Sequence, residues 1–193
     1  MLDGFSPPVR PPVSKKPLHS ETSMPETTSN LTKNSPANEQ TEGILIEAQE
    51  ALIQGRLSES IRGFSRVLEE APSHQVALFS RGIAYFRAGQ YDQAHADFNR
   101  VLADHPRKEK IHCARGNVFL AQNNHEKALE DFNRALEHNP QYATAYFSRA
   151  EVLDRIGENQ LAGEDREVGM RIQKQMSQAF METQGIVFQH HSG

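Results

Sequence analysis

The chain is poor in cysteine, in basic charge and in long apolar runs, and each shortage excludes something. A single thiol, Cys113, excludes an intrachain disulfide framework and sets the expectation of a reducing, cytoplasmic setting. Lysine and arginine total 21 against 25 acidic residues, a net charge of −4 with histidine neutral. Without a basic excess, neither nucleic acid nor an anionic membrane surface is an expected partner. No apolar stretch approaches the roughly 18–20 residues of a membrane span, so membrane insertion is not expected. The opening Met1-Leu2-Asp3-Gly4-Phe5-Ser6-Pro7-Pro8 lacks the basic and apolar regions of a secretory signal, and none is expected there. Catalytic signatures are missing too. There is neither a glycine-rich phosphate loop nor a G-x-S-x-G nucleophile elbow.

Proline is plentiful, and its placement organises the chain. Pro7, Pro8, Pro11, Pro12, Pro17, Pro25 and Pro36 all precede residue 42, in a region rich in serine and threonine and poor in large apolar side chains. Such a composition buries too little surface to offset the entropy of ordering, so residues 1–42 are expected to be a disordered tail. The remaining three are Pro72, Pro106 and Pro140, with two gaps of 34 residues. Proline breaks helices because it lacks the amide and clashes with the preceding turn. Equal spacing of three breakers predicts equal helical units.

Other positions keep the same phase. Ala48, Gly82, Gly116 and Ala150 form one column of small residues, and Ser60, Ala94, Ala128 and Ala162 form a second. Small residues are what two antiparallel helices need at their closest approach. Gly55, Gly89, Asn123 and Gly157 fall between the columns, where a helix end takes a left-handed residue. Phe64, Phe98 and Phe132, then Leu68, Leu102 and Leu136, place an apolar stripe on each second helix. The unit is helix, tight turn, helix, breaker.

These residues resemble the tetratricopeptide repeat (TPR), whose period is 34. The stretches Arg81-Gly82-Ile83-Ala84-Tyr85-Phe86, Tyr91-Asp92-Gln93-Ala94 and Phe98-Asn99-Arg100-Val101-Leu102 carry the likeness, as does Lys127-Ala128-Leu129-Glu130-Asp131-Phe132. The resemblance implies an all-α, right-handed α-solenoid of helical hairpins, with three to four repeats and a C-terminal capping helix. It covers a domain expected at 43–183, with repeats near 41–74, 75–108, 109–142 and 143–176 and a flexible tail over 184–193. The cap is read as one long helix in which Leu161, Val168, Ile172, Met176 and Phe180 recur at mostly three- and four-residue spacing, its other face polar.

Arg81, Arg115 and Arg149 recur in phase, followed sixteen residues later by Asp97, Asp131 and Asp165. A periodic arginine suits either a row of anion sites or an ion pair between the helices of a hairpin. The first unit replaces both members together, with Glu47 and Gly63, which favours the ion pair.

Candidate chemistry is thin. A metalloprotease helix needs two histidines one turn apart with a glutamate between them, and in His125-Glu126-Lys127-Ala128-Leu129 the second position is leucine. His105 and His112 straddle a repeat boundary, and His190-His191 lie near the C-terminus. Cys113 and His112 are adjacent on a helix and point about 100° apart, so they do not pair as nucleophile and base. Cys113 is read as a small groove-lining residue. The expectation is a non-enzyme with no catalytic residue, cofactor, metal or small-molecule substrate.

By resemblance, the first helices of successive hairpins line a concave face. The residues implied there are Glu42, Leu45, Gln49, Leu52 and Ile53, then Val76, Phe79, Ile83, Phe86 and Arg87. The third and fourth units supply Lys110, Cys113, Asn117, Leu120 and Ala121, then Thr144, Phe147, Glu151, Asp154 and Arg155. The first half is apolar, and apolar residues that the fold does not need inside imply a ligand that covers them. The other reading of the stripe is packing between hairpins. Some relatives grip an acidic carboxyl terminus with a clamp of Lys, Asn, Asn, Lys and Arg. Here Leu45, Gln49, Ser80 and Ala114 stand at four of those positions and only Lys110 agrees. The implied partner is therefore another protein, presenting an apolar helix or extended segment to an adaptor for assembly or targeting. The alternative is a regulatory subunit or co-chaperone with the N-terminal tail as a phosphorylation switch. Phe79, Ile83 and Phe86 share one helix face and are the expected anchors, with Phe147 extending the track, whereas Tyr85 and Phe98 belong to the hairpin core. Pro8-Val9-Arg10-Pro11 reads as linker or as a polyproline ligand. Ile186-Val187-Phe188 reads as an apolar cluster that folds back or engages a partner.

Overall fold

The computed structural model of the protein describes residues 36–105 and 108–184. These residues form eight helices and no strand: α1 (Pro36–Ile53), α2 (Leu57–Glu70), α3 (Gln75–Arg87), α4 (Tyr91–Asp104), α5 (Glu109–Ala121), α6 (His125–His138), α7 (Ala143–Arg155) and α8 (Asn159–Thr183). They pair as α1–α2, α3–α4, α5–α6 and α7–α8, and each hairpin packs on the next. The result is an all-α solenoid of four hairpins, as the 34-residue phase predicts.

The turns form where the sequence places left-handed residues. Gly55, Gly89 and Gly157 have φ of 76°, 73° and 88°, and Asn123 has 57°. Glycine tolerates this region without a Cβ clash, and asparagine is among the side chains that tolerate it best. Pro72 and Pro140 lie in the connections that follow α2 and α6. Pro106 lies outside the described residues.

Both small columns are buried, and the reason is visible at two glycines. A Cβ on Gly82 would stand 2.6 Å from the Phe98 ring, and one on Gly116 would stand 2.7 Å from Phe132. Each phenylalanine therefore packs directly against the backbone of the facing helix, and Phe64, Phe98 and Phe132 are all 0% exposed. The fourth hairpin has Arg166 in place of this phenylalanine. It fits a ring from the other side, since a Cβ on Gly169 would meet Phe147 at 2.9 Å.

The periodic arginines are ion-paired. Arg81 donates through Nε and Nη2 to both oxygens of Asp97, each at 2.8 Å. Arg115 does the same to Asp131 at 2.8 and 2.6 Å, and Arg149 to Asp165 at 2.7 and 2.6 Å. The third nitrogen reaches the preceding hairpin. Arg81 Nη1 donates to Ser65 at 3.0 Å, Arg115 Nη1 to Asn99 at 2.6 Å and Arg149 Nη1 to Asn133 at 2.7 Å. Each guanidinium thus ties three helices, and the anion-site reading has no cation left to use. Hydrogen bonds to Asp97 and Asp165 raise the pKa of Arg81 and Arg149. Burial pushes the Asp131 carboxyl up, but the hydrogen bonds from Arg115 and His112 outweigh it and hold its pKa below the ordinary value.

Two expectations need correction. The tail expected to run to residue 42 gives up its last residues to α1, which begins at Pro36. Proline suits the first helical position, where its missing amide would have had no partner. The rest of that tail, with Pro8-Val9-Arg10-Pro11, lies outside the described residues. The cap helix also buries less than its spacing suggests. Ala162, Asp165, Gly169 and Ile172 are buried, but Leu161 is 48% exposed, Met176 62% and Phe180 67%. For Met176 and Phe180 the cause is length: α8 runs 25 residues where α2, α4 and α6 run 14, because Lys174 stands one period after Pro140 and nothing stops the helix.

Truncating a ring that seats on glycine leaves a cavity that the flat backbone cannot refill. Phe98→Ala is expected to cost about 3–5 kcal/mol in urea unfolding. Asp131 gives a pH signature. A folded-state pKa below the unfolded value stabilises fully above about pH 4 and loses that contribution as pH falls through the folded value. The stability gap between wild type and Asp131→Asn should therefore be constant near neutrality and close on acidification, as followed by urea melts at stepped pH.

Candidate functional site

The first helices form one continuous face. Helices α1, α3, α5 and α7 approach closely in succession, whereas no Cα atoms of α2, α4, α6 and α8 come within 8 Å of one another among the described residues. Closer approach on one side bends the stack toward that side, so the first helices line its inner surface. This is the face on which the candidate residues were expected.

Exposure sorts those candidates. Leu45 and Leu120, at 8% and 5%, are buried, and so is Cys113. They are removed from the groove. Leu45 packs with Ala48, Phe64 and Leu68 in the core, and Leu120 and Cys113 pack with the cluster around Phe132. Each is covered by the helices packed against its own, whatever its polarity. Burial pushes the Cys113 thiol up to about 11, with a hydrogen bond to Ser148 opposing weakly, so it stays protonated at neutral pH.

Gln49, Leu52, Phe79, Ile83, Phe86, Asn117 and Phe147 are half-buried, whereas Val76, Lys110 and Glu151 are exposed. The three expected anchors on α3 are not free of the fold. Phe79, Ile83 and Phe86 all pack against the core cluster, with the Phe79 ring 5.9 Å from Phe98 and the Phe86 ring 6.0 Å from Tyr91. Truncating them would cost stability as well as contact. At the charged end Glu151 pairs with Arg155 at 2.7 Å, and Asp154 pairs with Arg166 of α8. Leu52 accepts a hydrogen bond through its carbonyl from Arg87 at 2.7 Å.

What the structure does bring together is a pocket of about 440 Å³ between the N-terminal ends of α3 and α5. Val76, Phe79 and Ile111 give it apolar walls, and Gln75, Lys108 and Lys110 stand at its polar edge. Lys108 Nζ donates to Gln75 at 3.1 Å, and Gln75 also contacts His105. His74 caps α3 by accepting from the Ala77 amide at 3.2 Å, which sets the helix start that presents Val76. Ile111 and Lys108 were not singled out in the sequence, although they follow Ala77 and His74 by one period. Phe147 lines a different pocket, of about 520 Å³, with Thr144 and the far half of α8. The expected single apolar track is therefore two separate depressions.

His112 donates through Nδ1 to Asp131 at 3.1 Å, and its ring lies 5.6 Å from His138. No group of three metal-ligating side chains occurs among the described residues, and no described helix is long and apolar enough to cross a membrane.

The comparisons agree with this architecture. Residues 47–109 and 109–142 match two family models, each described as tetratricopeptide repeat. No curated protein matches the chain. Among solved structures, MamA from Desulfovibrio magneticus RS-1 is 18% identical with a TM-score of 0.65, covering 72% of this chain and 80% of that one. The first TPR of Spaghetti (RPAP3) bound to the HSP90 peptide SRMEEVD is 23% identical, with a TM-score of 0.58 and coverage of 61% and 94%. An O-GlcNAc transferase mutant from Thermobaculum terrenum is 28% identical at a TM-score of 0.58, covering 62% of this chain but 23% of the transferase.

The buried, protonated Cys113 supplies a direct check on the site assignment. A thiol reagent should label it many-fold more slowly in native protein than in urea-unfolded protein. Rapid native labelling would return Cys113 to the groove.

Proposed function

For a chain whose residues 47–142 are tetratricopeptide repeats, we propose the role of a non-enzymatic adaptor that holds a segment of another protein on the face lined by α1, α3, α5 and α7. The observation that carries the reading is the pocket between α3 and α5, where Val76 is 48% exposed beside Phe79 and Ile111. An apolar side chain left in water at the mouth of a concave, mostly apolar depression gains from a partner that covers it. An apolar helix or extended segment suits this surface, with one bulky side chain entering the pocket. Assembly or targeting of a complex is the process such holding serves.

An acidic carboxyl terminus is the rival ligand, since the peptide in the RPAP3 structure is acidic. The residues of this chain favour the apolar ligand. Carboxylate recognition needs donors and positive charge, and at the clamp positions Leu45 is buried and Gln49, Ser80 and Ala114 carry no charge, which leaves Lys110 as the one cation.

Affinity capture followed by mass spectrometry, run in parallel on three forms of the protein, tests the reading. Val76→Asp should lose the captured partner by tenfold or more, equivalent to about 1.4 kcal/mol, while its melting temperature stays within a degree or two of wild type. Arg134→Ala, on the exposed outer side of α6, should retain the partner. Capture that survives Val76→Asp but fails with Arg134→Ala would place binding on the outer face and overturn the proposal.

A further inference from the structure

The second pocket has a different owner. On α8 the buried stripe Ala162, Asp165, Gly169 and Ile172 continues, at the same helical spacing, as Met176 and Phe180. Up to Ile172 the stripe faces α7. Beyond it, α8 continues without the break that Pro72 and Pro140 impose on earlier units, and the stripe loses its cover. Met176 and Phe180 are then 62% and 67% exposed, and with Thr144, Phe147 and Met181 they line a depression of about 520 Å³ that has no charged residue in its lining.

The chain itself supplies a matching segment. α8 ends at Thr183, and nine residues follow Gln184. They contain one apolar run, Ile186-Val187-Phe188, directly after Gly185. Glycine reaches the left-handed conformations that end a helix and reverse the chain. Residues 186–188 lie three to five positions past Thr183, a reach of about 10–17 Å when extended. Phe180 and Met176 lie three and seven positions before Thr183, about 5–10 Å back along the helix. The run is therefore long enough to reach the depression, and a tether this short gives it an effective concentration there on the order of millimolar. It is as uncharged as the surface it would meet.

We propose that Ile186-Val187-Phe188 folds back across the end of α8 and occupies the depression formed by Phe147, Met176 and Phe180, closing the C-terminal end of the solenoid. The segment does there what the first helix of a further hairpin would do, covering the exposed flank of α7 and α8 within the same molecule. This inference stands independently of the adaptor reading, which rests on the separate pocket between α3 and α5.

The chain contains no tryptophan, so Phe188→Trp introduces a single reporter in the full-length protein. The expected result is blue-shifted emission and several-fold protection from acrylamide quenching, both unchanged on dilution. Adding Phe180→Asp or Met176→Asp should return the emission and the quenching to those of a solvated indole. Adding Leu161→Asp, at the other end of the same helix, should leave both in place. Circular dichroism and the melting temperature show that each variant is folded, since Phe180, Met176 and Leu161 are exposed. Solvent-like emission in the Phe188→Trp protein would overturn the proposal. A blue shift that fades on dilution would also overturn it, assigning the surface to a second copy, and so would a shift that survives both aspartate substitutions.

Discussion

The arginine shared by the second, third and fourth repeats is the interaction on which the rest of the stack depends. Its planar guanidinium grips an aspartate of the same hairpin with two nitrogens and a side-chain oxygen of the preceding hairpin with the third. A planar fork suits this task, and a lysine ammonium could not hold both directions at once. The aspartates are almost fully buried, with Asp97 at 3% and Asp131 at 2% exposure. A buried carboxylate is tolerated only where its hydrogen bonds are made, so a hairpin that slipped or rotated against its neighbour would strand a charge. The pairs thus penalise wrong packings more than they strengthen the right one. That is how a chain of near-identical units keeps one register.

Apolar packing then supplies the bulk of the stabilisation within that register. The rings of Phe98 and Phe132 lie on glycine backbones because no Cβ fits beneath them. The close approach of the paired helices also decides the shape of the inner face. With α1, α3, α5 and α7 in contact one after the next, positions such as Leu45 and Leu120 are sealed between helices. Open surface remains at helix ends, where Val76 and Lys110 stand. The candidate site is a consequence of that geometry: it is a depression between helix N-termini and not a continuous apolar trough.

Much of the fold was legible in the sequence because its determinants are local or periodic. Evenly spaced prolines, four turn residues with positive φ and two columns of small residues each have a steric cause that acts within one hairpin. The arginine–aspartate pairs were legible because both members vanish together in the first unit. The bonds to Ser65, Asn99 and Asn133 were missed, although these residues also recur every 34 positions, since serine and asparagine on a helix surface look like ordinary solvated side chains. The site was less legible. Repeat position assigns a residue to the inner face but not its depth, which depends on side chains of both neighbouring hairpins. Phe79 and Phe86 share a face, yet each leans into the core. Likewise Met176 and Phe180 carry a core-like spacing, and the missing breaker at Lys174 is the signal that could have shown the helix outrunning its partner.

The measurement that bears most directly on this account is a double-mutant cycle between hairpins. Arg115 and Asn99 meet at 2.6 Å across the boundary of the second and third units, with the Arg115 side chain 21% exposed. Urea unfolding of Arg115→Ala, Asn99→Ala and the double variant isolates that contact from the pair with Asp131. If the ladder couples the hairpins, the cycle yields an interaction on the order of 1 kcal/mol, and the singles broaden the transition as the units begin to separate. Energies that add within about 0.3 kcal/mol, with the transition as sharp as wild type, would contradict it.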